Sequence, residues 1–346
     1  MQPVPLSPNM PRSFHRGTGR IGRFRATAAP ADPYFPEDWV GSVTARHAAA
    51  PAGLPTLPDG RLLSTAIADA PERWLGPEHV ARHGPDPAIL VKLLDAGERL
   101  PLHVRPDRRF AAAHLASPYG KTGAWVIVDA APGAVVHLGF CRDVGAAELR
   151  HWVSGQRVPD MLAATNQVPV HPGDAIVCPA GLPHAIGEGI LLVEVQEPTD
   201  FSVLLEWEGY EIDAASGHLG LGYDKVLQCV DRASWGSGRI DGLRAARRAG
   251  HRIRPGVDRL FPESADPFFA AERIRPDPIG VLDPAFSILV VTSGTGVLDA
   301  EHGDRFELHA GLTLLVPHAA GHCMLNGDLE AIRCRPQHDI SRRSEA

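Results

Sequence analysis

Residues 97–184 carry the pattern that most limits what this chain can fold into. Gly97 is followed after five residues by His103, with Arg105 two positions further on. Gly120, Lys121, Thr122, Gly123 and Trp125 come next. The stretch closes with Gly173, five residues, Pro179, Gly181 and His184. Residues two apart on a β-strand point to the same face, so His103 and Arg105 project together from an extended segment. The Gly and Pro-x-Gly positions mark tight corners between strands. Two such half-patterns, in this order, describe short strands folding back into a β-barrel. The side chains of residues 103, 105 and 184 would converge inside it.

Composition sets wide bounds around this core. A chain of 346 residues suggests two domains or one large one. Hydrophobic residues make up 44% and charged residues 22%, enough apolar material for a sizeable core. The net charge of −7 gives nucleic-acid binding no electrostatic support. No apolar run reaches the length of a membrane span, and none through Arg25 reads as a signal peptide. Cys141, Cys178, Cys229, Cys323 and Cys334 show no C-x-x-C pairing. Reduced thiols and a cytoplasmic location are expected.

Taken in order, the chain reads as strands with helical interruptions. Residues 1–20, rich in Pro and Arg, are expected to be flexible. Trp39 is expected in the core, and helices over 61–70 and 71–84, the second with Pro71 in its first turn. Residues 88–141 alternate in β fashion. Leu149, Trp152 and Val153 then recur at helical spacing, so 142–167 reads as a helical hairpin inserted between barrel strands. Strands resume over 168–210. A connector of loops and helix is expected over 211–265, with a basic helix at 242–250. Residues 266–340 return to strands, where Gly311 and Pro317 repeat the spacing of Gly173 and Pro179. The expected fold is mainly β: one barrel from 21–141 plus 168–210, and a second, degenerate one from 266–340. His114, His137, His151 and His171 lack ligand spacing and read as surface or turn residues.

The residues around these motifs resemble type I mannose-6-phosphate isomerases, members of the cupin superfamily. The resemblance lies in Leu90–Gly97, Pro101–Asp107, Gly120–Trp125 and Pro172–Gly187. It continues in Leu192, Glu194, Gln196, Thr199 and Asp200, and covers at least residues 36–210. It implies a bicupin of two jelly-roll barrels with helical insertions. It also implies isomerisation of mannose 6-phosphate and fructose 6-phosphate, and a bound zinc ion. The four metal-ligand positions implied by the family fall on His103, Arg105, Gly123 and His184. Arginine has no lone pair for a metal and places a positive charge where the cation would sit. No glutamate lies between Glu98 and Glu148 to stand in at position 123. The family's arginine after its Ser/Thr-Asp pair has no counterpart, since no arginine lies between Arg157 and Arg232.

Each candidate has a functional and a structural role open to it. His103 and His184 are metal ligands, with Glu194 supplementing them, or hydrogen-bonded residues of a polar barrel interior. Arg105 binds a carboxylate or phosphate, or forms a salt bridge with Glu194. Lys121 contacts phosphate or moves a proton, or is a solvated loop lysine. Asp107 contacts substrate or caps a turn. Glu194 and Gln196 share a strand face, as a supporting carboxylate and a substrate contact. Three functions follow. One is a sugar-phosphate isomerase with an altered metal site. Another is an inactive sugar-binding or scaffold cupin. The third is a metal-independent enzyme using Arg105 on an acidic small molecule.

Overall fold

The computed structural model describes residues 1–46, 52–245 and 251–337. It is mainly β, with three antiparallel sheets and short helices. The central layer is a six-stranded sheet. Its order is Arg244–Ala245, Ala175–Cys178, Gly123–Ala130, Ile190–Gln196, Leu90–Ala96 and Glu37–Val40. Leu90–Ala96 and Ile190–Gln196 are buried along their whole length. This explains why both read as nearly unbroken apolar runs: each face of the sheet has its own core to fill. Val91, Leu93, Val193 and Val195 face one core, and Leu94, Ala96, Ile190 and Leu192 face the other. Burying each such Val, Leu or Ile contributes about 1.5–3 kcal/mol.

A five-stranded sheet covers the second of these cores. Its order is Val203–Leu204, His103–Val104, His184–Ile186, Val135–Phe140 and Thr165–Pro169. The helices Ala146–Ser154 and Val158–Ala163 cover its outer face, where Leu149, Trp152 and Met161 meet Leu102, Val104 and Phe140. On the other side of the central sheet lies a nine-stranded sheet built mostly from residues 251–336. Its Ile288, Val290, Leu315 and Ile332 share a core with Val91 and Val193. Its opposite face closes on a core of its own around Leu289, Leu314 and Leu325.

Five expectations change. Residues 1–20 are not loosely draped: Val4–Pro5 pairs with Thr313–Val316, and Ser13 and His15 are buried. Arg25 fixes this segment further by donating to Leu6 O, Asp38 and Thr313. Of the basic stretch expected as a helix, Arg244–Ala245 is a strand paired with Ala175–Ile176, and residues 246–250 lie outside the described residues. His251–Arg254 and Val257–Arg259 are strands of the large sheet rather than connector. His137 is buried on its strand, 2.7 Å from Thr165 Oγ1. The helical stretch 61–84 resolves into Leu63–Asp69, Pro71–Leu75 and Pro77–His83, with Gly76 at φ +89° separating the last two.

Candidate functional site

Alternation decides where the polar residues go. Ile190, Leu192, Leu94 and Trp125 enter the core between the six- and five-stranded sheets. Lys92, Glu194 and Gly123 are in phase with them and face the same space. On the opposing sheet His103, Arg105 and His184 are out of phase with Leu102, Val104 and Ala185, which pack outward. The space is therefore apolar at one end and charged at the other. At the charged end it opens into a cavity of about 780 Å³. The sheets supply its floor, and two segments distant in sequence, Arg12–His15 and Glu211–Leu219, complete its wall.

His103 and His184 are direct partners in the strand register, with ring centroids 4.0 Å apart. Nδ1 of His103 lies 2.9 Å from Pro101 O, and Nδ1 of His184 lies 2.7 Å from Leu182 O. A carbonyl only accepts, so each Nδ1 carries the proton and each Nε2 keeps its lone pair. Burial, followed by the charge of Arg105, pushes His103 down to about 3. Burial and the neighbouring His103 and Arg105 hold His184 well below the ordinary histidine range. Both rings are neutral at physiological pH.

Arg105 lies beside them and donates from Nη2 to Glu194 Oε1. Its Nη1 packs against Gly123 so closely that a Cβ built there would overlap it. Trp125 Nε1 also donates to Glu194 Oε1, at 3.1 Å, and Lys92 Nζ lies 3.9 Å from Oε2. Burial alone would raise the Glu194 pKa, but Arg105, Lys92 and Lys121 together hold it at about 2. Lys92 lies 3.2 Å from Glu37 and 3.8 Å from Asp200. Glu37 in turn accepts from Trp39 Nε1 at 2.7 Å and sits 3.2 Å from His15 Nε2. Lys121 Nζ donates to Ser202 Oγ at 3.1 Å and lies 3.6 Å from Asp200. Burial pushes Lys121 down to about 7, against the pull of Asp200.

The structure thus brings together five of the seven residues singled out from sequence: His103, Arg105, Lys121, His184 and Glu194. Asp107 is the N-cap of the helix Arg108–His114, accepting from Phe110 N at 2.7 Å. Gln196 is buried, and its amide donates to Glu197 O and Thr199 O at 3.2 and 2.6 Å. Sequence reasoning missed Lys92, Glu37 and Asp200 as network members. The signal for Lys92 was present, as a charge inside the apolar run Leu90–Leu94. His15 and Arg46 carried none, because they lie in irregular segments without a periodic pattern.

No family model matches the chain. A mannose-6-phosphate isomerase of Streptococcus mutans is 34% identical over 112 residues, covering 32% of this chain and 34% of that protein. The isomerase ManA of Bacillus subtilis gives the same identity over the same length. The chain therefore matches about a third of the length of these relatives. Its fold agrees over nearly the whole chain with the crystal structure of mannose 6-phosphate isomerase from Bacillus subtilis. The TM-score is 0.77 at 20% identity, covering 97% of this chain and 100% of that one. Over 112 residues the chain is thus similar to mannose-6-phosphate isomerases, and over nearly its whole length it shares the fold of one. A mannose 6-phosphate isomerase bound with zinc and yttrium also shares the fold, with TM-score 0.74 at 16% identity, covering 98% of this chain and 100% of that one.

The donor set of this site does not fit zinc. Zinc sites of this kind use three or four N, S or O ligands, and here two imidazoles face a guanidinium instead. The nearest carboxylate, Glu194, is already held by Arg105. Among the described residues, no group of three or more His, Cys, Asp or Glu side chains is placed to hold a metal.

Proposed function

We propose that this chain binds a sugar phosphate, of the mannose 6-phosphate and fructose 6-phosphate kind, in a pocket whose fixed cation is Arg105 rather than zinc. The carrying observation is the unit formed by Arg105, Glu194 and Gly123. The guanidinium occupies the space that a side chain at 123 would need, and takes the nearby carboxylate for itself. Neutral His103, which lines the pocket, suits a hydroxyl group, since its Nε2 keeps a lone pair. Lys121 and Ser202 add donors on the same wall of the pocket. In a buried site such groups recognise a polyol with an anionic end. The sheet pairing supports the finer reading of two cupin barrels, the first carrying this pocket. The five unpaired cysteines support a reducing, cytoplasmic setting.

Isothermal titration with mannose 6-phosphate tests this reading. The expected result is binding of equal affinity with and without a chelator, and no stoichiometric zinc by elemental analysis. Binding that disappears with the chelator and returns with zinc would overturn it.

The pKa of Lys121 favours a second reading, metal-independent aldose–ketose isomerisation. A lysine titrating near 7 is a competent base at neutral pH. It would take the proton from C2 and return it to C1, while Arg105 stabilises the developing enediolate oxygen. A coupled assay should then show turnover that survives the chelator and is lost in Lys121→Met. Binding without turnover would leave the binding function alone.

A further inference from the structure

Five cationic side chains line the pocket, and four of them have a close carboxylate. Arg105 is held to Glu194, Lys92 lies 3.2 Å from Glu37, Lys121 3.6 Å from Asp200, and Arg12 2.7 Å from Glu211. Arg46 differs. Its guanidinium donates to the backbone carbonyl of Arg12 and, at 3.1 Å, to Ser13 Oγ. Both partners are neutral. Asp200 lies 3.9 Å from the Nε of Arg46, beyond hydrogen-bond reach, and Glu37 feels the arginine's charge from further off. Asp200 is shared with Lys121 and with Lys92, the latter 3.8 Å away. Of the five cations Arg46 has the longest distance to its nearest ion-pair partner, and its hydrogen bonds go to neutral partners. Its side chain is only 13% exposed and held against the wall by its neutral contacts. A guanidinium fixed in orientation by neutral partners is suited to a phosphate.

We propose that Arg46 receives the phosphate of the bound sugar and sets the preference for phosphorylated over plain sugars. This rests on the sugar-phosphate reading of the pocket. The sugar itself is left to the donors and acceptors of the floor.

Titrating wild type, Arg46→Gln and Arg46→Lys with mannose 6-phosphate and with mannose tests the assignment. Wild type should prefer mannose 6-phosphate. Arg46→Gln should lose roughly 10- to 100-fold in that affinity, the range of a charge-assisted hydrogen bond, and keep its affinity for mannose. Arg46→Lys, which retains the charge, should fall between. If Arg46→Gln weakens both ligands equally, Arg46 only braces the Arg12–Ser13 wall and the proposal is wrong. It is equally wrong if mannose 6-phosphate binding does not change. If wild type binds neither sugar, the sugar-phosphate reading fails as well, an outcome distinct from the first two. Arg46→Lys guards against a folding defect in the glutamine variant, and thermal melts of both establish that they are folded.

Discussion

Arg105 and Gly123 behave as one structural unit. Arg105 is almost fully buried, and its Nη1 rests where the Cβ of residue 123 would be. Gly123→Ala should therefore destabilise the protein by about 1–3 kcal/mol, the usual range for overpacking, as Arg105 is pushed off Glu194. Adding Arg105→Ala should remove the overlap. The expected signature in chemical denaturation is a strongly non-additive pair, with the double variant more stable than the sum of the single losses. Additive losses would mean that the two residues do not compete for the same space. The sequence made both residues visible as departures from a metal site, since position and spacing sufficed for that. Their mutual packing was not visible, because residues 105 and 123 meet only when two different strands are brought together. Arg46 was still less visible: its partners Arg12 and Ser13 lie in a segment that composition alone marked as flexible.

At the level of elements, alternation served well wherever a strand had two faces to satisfy. It placed His103 and Arg105 on one face of a strand, and His184 joins them from the neighbouring strand of the same sheet. The helical spacing of Leu149, Trp152 and Val153 likewise became the helix Ala146–Ser154. Local pattern failed for strands held only by distant partners. Val4–Pro5 is two residues long and pairs with Leu314 and Leu315, far along the chain, so no period could reveal it. Arg244–Ala245 is also two residues long, and its charge suggested a solvated helix. Asp107 offers a test at this scale. As the N-cap of Arg108–His114, its replacement by Ala should cost about 1 kcal/mol of stability. Sugar-phosphate affinity should stay as in wild type, whereas a loss of affinity beyond the loss of stability would return Asp107 to the pocket.

At the scale of the whole molecule, buried carboxylates in two separate places should govern behaviour in acid. Glu194 is held at about 2 by Arg105, Lys92 and Lys121 despite its burial. In the large sheet, Glu272 is held at about 2 by Arg333, Arg335 and Arg254, also against burial. A carboxyl depressed in the folded state stabilises the fold above its ordinary value of 4.5 and loses that contribution as pH falls toward 2. Lys121 acts in the opposite sense and at higher pH: the cost of burying its charge lapses as pH rises from 7 toward 10.5. Stability measured by denaturation should be flat near pH 5–6 and fall steeply below pH 4.5. Because the central sheet shares a core with each neighbour, a single transition is expected. Two separated acid transitions would show that the halves unfold independently.

The crowding between positions 105 and 123 also constrains what each position can hold. With any side chain at 123, an arginine at 105 has no room to reach Glu194. Glycine at 123 is thus what leaves room for the arginine to reach its partner. A carboxylate placed at 123 while Arg105 remains would compete with Glu194 for the one guanidinium. The glycine and the arginine thus hold each other in place, so that a change at either position is felt at the other.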